Sequence, residues 1–166
     1  MLDSVPLGRV QRLQTLARQI RWDVVQCIYA AGGGHAGGSL SAADICTALY
    51  FDLLKVDPGR PHWDERDRFI LSKGHAAPVL YACLARRGYF PVAELAHYRQ
   101  AGHFLQGHPD MKKVPGVDMT SGSLGQGLSA GIGLAVAARL SKLSYRVYVL
   151  MGDGEMQEGE VWEAAM

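Results

Sequence analysis

An α/β fold, a parallel sheet flanked by helices, is predicted by three observations. Helix-like stretches with apolar residues three and four apart alternate with short apolar strands. The strand at 145–151, Tyr-Arg-Val-Tyr-Val-Leu-Met, has little polar alternation, as a strand covered on both faces does. The chain's 20 glycines gather in loops between these elements. At 166 residues the chain is long enough for one core. No repeat or low-complexity linker divides it, so a single domain over 1–166 is expected.

The elements follow in order. Leu13, Leu16, Ala17 and Ile20 set a helical stripe from 7 to about 29, which the glycine loop at 32–38 ends. Ser41-Ala-Ala-Asp44 reads as a capping box opening a helix to about 54. The stretch VDPGRPHWDERD is turn-forming. Arg68–Leu71 is a short apolar strand, and a helix spans about 77–86. Pro91 at a first helical position predicts another helix over PVAELAHYRQ. A long loop, 102–120, carries His103 and His108. A helix rich in Gly and Ala runs from 127 to about 143, and the strand at 145–151 follows.

Composition excludes several classes of function. A net charge of +1 with no basic stripe argues against electrostatic nucleic-acid binding. Cys27, Cys46 and Cys83 lie in apolar, helix-like stretches without metal spacing, so they read as reduced, buried thiols. The segment MLDSVPLGRV has no apolar signal core, and no run of about 18 apolar residues occurs. A cytoplasmic protein is the expectation.

The chemistry concentrates in glycine loops. Gly152-Asp153-Gly154 stands where the last strand ends, the position at which open α/β sheets bind ligands. The two glycines let backbone N–H groups approach phosphate oxygens. Asp153 offers a hard oxygen to Mg²⁺, which often divides its shell between one or two carboxylates and a ligand's phosphates. Gly-Asp-Gly alone is also ordinary turn chemistry. Three further loops shift the balance: GGGHAGGS holds His35, SKGH holds His75 and QGHPD holds His108. Each histidine lies beside glycine between α/β elements, and together they converge on one anionic ligand. GSLGQG does not have G-x-G-x-x-G spacing and follows a polar segment, so dinucleotide binding is set aside.

In order along the chain, GHAGGSLSAADI, RDRFILSKGHAAPVLYACLARRGYF, GHPD, TSGSLGQGLSAGIGLA and GDGEMQEGEVWEAAM closely resemble the N-terminal, thiamine-diphosphate-binding part of transketolase. The resemblance runs from about Leu13 to Met166 and is nearest to the split form, in which that part is a separate subunit. Ser123 follows the split form, where many long forms have Pro. The resemblance implies the thiamine-diphosphate-binding fold, with Asp153 as ligand of Mg²⁺ or Ca²⁺. It implies Gly152, Gly154 and His75 at the cofactor diphosphate, and Gly122 and Leu124 along the aminopyrimidine and rings. It implies His35 and His108 at the sugar, where imidazole can accept a hydroxyl proton or stabilise an oxyanion. The implied reaction moves a two-carbon ketol unit from a ketose to an aldose. The implied partner is a C-terminal, pyrimidine-binding subunit that contributes the activating carboxylate, within a homodimer or heterotetramer.

Glu158 and Glu163 read from the residues alone as acids favoured by a helix dipole. The resemblance puts them at the subunit interface, connecting two active sites through buried hydrogen bonds. Glu155 and Glu160 are expected at the surface, His62 and His97 in structural roles, and His103 in loop packing. The final segment EVWEAAM is a helix without a stop signal. The family's metal shell is completed about thirty residues beyond Gly-Asp-Gly. These points lead to the expectation of a truncated domain, incomplete at its C-terminus and inactive alone. Two alternatives stay open: another thiamine-diphosphate enzyme, of the deoxyxylulose-phosphate synthase or 2-oxoacid dehydrogenase type, and a noncatalytic remnant.

Overall fold

The structure, a computed structural model, describes residues 7–166. The first six residues of the segment read as lacking a signal core lie outside it. Five α-helices and two strands, joined by loops and short 3₁₀ turns, make up the described residues. Helices α1 (Leu7–Ala30), α2 (Ala36–Ala48) and α3 (Ala77–Arg87) pack on strands β1 (Arg68–Leu71) and β2 (Val147–Leu150), with α4 (Gln126–Leu140) and α5 (Gly159–Ala165) beyond them. The strands pair in parallel, from Arg68 opposite Val147 to Leu71 opposite Leu150. The predicted α/β class and parallel sheet are therefore present.

The core centres on α3. Residues Ala77 to Ala85 are all buried, against Ile20, Val24 and Cys27 of α1 and Ala42, Ala43 and Cys46 of α2. All three cysteines are buried free thiols, as expected. One charged tie crosses this core: the Arg86 guanidinium donates to both oxygens of buried Asp23 at 2.7 and 2.9 Å. Gly88, with φ +100°, lies just beyond α3, where a left-handed residue ends the helix without strain.

Three expectations are corrected. Helix α2 starts at Ala36 behind His35, five residues before the predicted capping box. Ser41 instead donates its hydroxyl to Gly38 O at 3.1 Å, and Asp44 pairs with Arg21 of α1. The helix then widens into an i→i+5 turn over Leu49–Leu53. PVAELAHYRQ forms only a 3₁₀ segment, Val92–His97, because its chain turns at Tyr98 to lay Tyr98 and Leu95 into the core. Strand β2 is half-buried at all four positions, so it is not covered on both faces among the described residues.

Two buried carboxylates fix the amino ends of the strands. Asp67 accepts N–H bonds from Lys55 and Arg146, each 2.8 Å. Asp118 accepts Phe69 N–H at 2.8 Å and pairs with buried Arg66. The opposite, carboxyl ends are left free to build a site. Among the described residues no helix is long and apolar enough to cross a membrane.

Candidate functional site

The ladder extends one bond past β1, Ser72 N–H to Leu150 O at 2.9 Å. The Ser72-Lys73-Gly74-His75 and Gly152-Asp153-Gly154 turns therefore leave the sheet side by side. A Cβ on Gly74 would stand 2.7 Å from Gly122 N, so glycine is required for the His75 turn to meet the Ser121-Gly122 loop. Gly122 has φ +144°, and a Cβ there would lie 3.0 Å from the His108 ring. His75 packs on Gly38 in the first turn of α2 and meets the His35 ring edge to face, centroids 5.7 Å apart. His35, His75, His108 and Gly122, predicted from separate loops, form one contiguous group.

His35 and His108 also line a pocket of about 370 Å³ with Tyr98, Arg99, Gln106 and the backbone of Gly34 and Gly107. Among the described residues no carboxylate lines it. The His108 loop is held from beneath, where the buried Tyr81 hydroxyl reaches the carbonyls of Gln106 (2.8 Å) and His108 (3.1 Å). Arg99 has φ +62°, a costly conformation for a residue with a side chain. Its guanidinium donates to Gly33 O at 3.2 Å, tying the two histidine loops across the pocket. Sequence reasoning missed Arg99, since nothing in Tyr-Arg-Gln signals a positive φ. His103 packs as expected: Nε2 meets Glu94 at 2.9 Å and Nδ1 accepts Leu105 N–H at 3.2 Å. His97 bonds Gln100 and stays outside the group.

Asp153 and Leu124 are exposed beside this group, Leu124 with 40% of its surface open. Glu158 is exposed at the start of α5, its side chain against Gly125, and Glu163 is exposed farther along that helix. Two acids expected at the surface are not free there. Glu155 is buried at 3% exposure and accepts from Ser72 Oγ, from Gly125 N–H (3.0 Å) and from Gly152 N–H (2.9 Å). Glu160 is half-buried and takes hydrogen bonds from Gln126 and Ser129, joining α5 to α4. Lys73, also missed in the sequence, is buried and reaches Gly38 O at 3.1 Å. The available signal for Glu155 is its place three residues after Gly152, close enough to fold back onto that N–H.

Desolvation by burial, with smaller pushes from His35 and Lys73, holds the His75 pKa below its usual value. At neutral pH the site therefore presents a neutral imidazole, with an N–H to donate. The hydroxyls of Ser39, next to Gly38, and of Ser121, next to Gly122, are buried without a partner among the described residues. Such groups are what a polar ligand at the His75 turn would satisfy. No group of three or more His, Cys, Asp or Glu gathers for a metal among the described residues. Asp153 alone suits a metal that takes its other oxygens from a phosphate ligand and from elsewhere.

The family model "Transketolase, thiamine diphosphate binding domain" matches residues 12–166. The chain is 50% identical to a 6-deoxy-6-sulfo-D-fructose transketolase subunit of a Clostridium strain, over 93% of this chain and 56% of that one. It is 43% identical to an apulose-4-phosphate transketolase subunit of Phocaeicola vulgatus, over 95% of this chain and 56% of that one. The chain thus spans about half the length of these curated relatives. Transketolase from Leishmania mexicana superposes with a TM-score of 0.88 at 33% identity, over 92% of this chain and 24% of that one. Transketolase from Campylobacter jejuni gives 0.86 at 34%, over 93% of this chain and 25% of that one. With sequence and fold agreeing over nine-tenths of its length, the chain belongs to the transketolase thiamine-diphosphate-binding domain family.

Proposed function

We propose that the protein works as the N-terminal half of a split transketolase, moving a two-carbon ketol unit from a ketose to an aldose. The observation that carries this reading is the adjacency of the His75 turn and the Asp153 turn at the carboxyl ends of two paired strands. His75 would donate to a diphosphate oxygen and the Gly154 N–H would lie along the same anion, whereas the expected Gly152 N–H contact is taken up by Glu155 at 2.9 Å, leaving Gly152 to shape the turn. Asp153 would give one carboxylate to Mg²⁺ or Ca²⁺, which would neutralise the charge of that diphosphate. Leu124 offers an apolar surface for a flat ring, beside Gly122. When bound, thiamine diphosphate supplies the electron sink that C–C cleavage needs.

His35 and His108 face the sugar from the walls of one pocket. Neutral imidazole accepts a hydroxyl proton, and the protonated form stabilises an oxygen gaining charge. Arg99 adds donors that suit a polyol, while the Gln106 amide N–H groups are held by the carbonyls of Gln100 and His103 and serve to shape the wall. The carboxylate for the aminopyrimidine belongs to a pyrimidine-binding partner, in keeping with two relatives that are themselves named as transketolase subunits. In this reading Glu158 and Glu163 lie at the interface between subunits of a homodimer or heterotetramer, in the cytoplasm. The chain without its partner is inactive.

The test is calorimetry on the complete subunit with its partner. Asp153→Ala is expected to abolish Mg²⁺-dependent binding of thiamine diphosphate, and unchanged affinity refutes the assignment. Offering a ketose phosphate and pyruvate as alternative donors separates transketolase from other thiamine-diphosphate enzymes, since only the ketose is expected to be turned over.

A further inference from the structure

We infer that Glu155 is a positioning residue whose buried carboxylate assembles the diphosphate-facing loops before any ligand arrives. The inference rests on the reading above that a diphosphate binds here, and it assigns a role to a side chain that touches neither cofactor nor sugar.

Both carboxylate oxygens are engaged. Oε1 accepts from Ser72 Oγ and from Gly125 N–H, and Oε2 accepts from Gly152 N–H. Ser72 Oγ in turn accepts Gly127 N–H at 3.1 Å. One side chain thereby links the exit of β1, the exit of β2 and the start of α4. These segments carry His75, Asp153 and the Gly122–Leu124 stretch. Among the described residues the donors to Glu155 are all neutral, and ionised oxygens accept from such donors more strongly than neutral ones do.

The local effects differ at the two ends of the carboxylate. Gly125 precedes α4 with φ +86° and has no side chain to cap the helix. Glu155 and Ser72 take two of its unsatisfied N–H groups, and the carboxylate's charge suits that end of the helix dipole. At β2 the bond to Gly152 closes the turn back on itself, so that buried Glu155 stands on its inner side and exposed Asp153 on its outer side. Glutamine has the same shape but turns an NH₂ toward N–H donors, which breaks the junction without leaving a hole. The Glu→Gln change therefore probes the hydrogen-bond pattern rather than the packing.

The experiment uses the complete subunit with its partner. In the cofactor-free state, Glu155→Gln is expected to speed amide exchange at Gly125, Gly127 and Gly152 while the α3 amides keep wild-type protection. The Kd for thiamine diphosphate at fixed Mg²⁺ is expected to rise about 10–100-fold, the usual cost of losing a group that orients ligands. With cofactor saturating, the sugar KM stays within about twofold, because the pocket of His35 and His108 is held separately by Tyr81 and Arg99. Ser72→Ala removes one strand of the junction and gives the same pattern more weakly. Combined with Glu155→Gln, it adds less than its single effect. Wild-type exchange at the three glycines in both variants overturns the inference, as does a sugar KM that rises as far as the cofactor Kd. Failure of the wild-type assembly to bind thiamine diphosphate refutes the proposed function instead, and the exchange comparison still decides the role of Glu155.

Discussion

At the scale of single residues, His75 is the group whose environment says most. Its pKa lies below the usual 6.5 because burial, His35 and Lys73 all disfavour the charged ring. Above pH 6.5 the ring is neutral in folded and unfolded chains alike and contributes nothing to stability. As pH falls through 6.5 the unfolded chain takes the proton first, so stability drops until the pH passes the lowered native value. The slope is shallow, since the ring is partly open to solvent. Melting temperatures followed from about pH 7 to pH 5 are expected to fall less in His75→Asn than in the wild type. Parallel curves, or a steeper fall in the variant, would show that the ring is not held neutral. An anion at the site reverses the sign by favouring the imidazolium, so diphosphate binding is expected to take up protons. Binding enthalpies that differ between buffers of different ionisation heat would reveal the uptake.

Elements show where glycine is a packing residue and where it is not. Helix α4 contains Gly127, Gly131 and Gly133. A Cβ on Gly131 would stand 2.6 Å from Val149 Cγ2, whereas one on Gly133 meets nothing within 4 Å. Helix propensity alone favours Ala over Gly by about 1 kcal/mol at either position. Gly133→Ala is therefore expected to raise stability by up to that amount. Gly131→Ala is expected to lower it, because α4 must lift from β2. Urea denaturation reads both signs, and a stabilising Gly131→Ala would show that α4 does not lie this close to the sheet. The same distinction explains what is legible in the sequence. Strand β1 is legible because four apolar-flanked residues between turn formers leave few alternatives. The start of α2 is not, because Gly37 and Gly38 look like loop residues. Yet Gly38 sits in a helix, with the His75 ring 3.4 Å from where a Cβ would stand. The histidines are legible since each stands in a glycine loop between elements. Glu155 is not, because an acid among acids reads as surface until Ser72 and Gly125 from distant segments, with nearby Gly152, surround it with donors. Arg99 is hidden for a different reason: its role depends on a positive φ imposed by the turn at Tyr98.

For the whole molecule, burial is unevenly shared, and that predicts how it opens. Nine consecutive residues of α3 are buried, and α1 and α2 each bury a full stripe against it. Across the sheet, α4 buries only Gly127, Gly131 and Ala138, β2 is half-open along its length and α5 buries only Val161. Ile132, Val136 and Leu140 of α4 are 40, 48 and 80% exposed. Apolar burial is the main term holding elements in place, so α4, β2 and α5 are held more weakly than the three-helix core. The site straddles this boundary: His35 and His75 belong to the firm side, Asp153 and the Gly122 loop to the other. Glu155, bonded to Ser72, Gly125 and Gly152, is a polar link between the two. Native-state hydrogen exchange on the isolated chain is expected to find α3 amides opening only with global unfolding. Those of α4 and β2 are expected to open earlier, in a smaller cooperative unit. If the proposed assembly covers the exposed apolar face of α4, protection of α4 and β2 in it is expected to rise toward that of α3. Equal protection of α3 and α4 in the isolated chain would show that the polar junction at Glu155 holds the second half as firmly as burial holds the first. The site would then be rigid before assembly rather than completed by it.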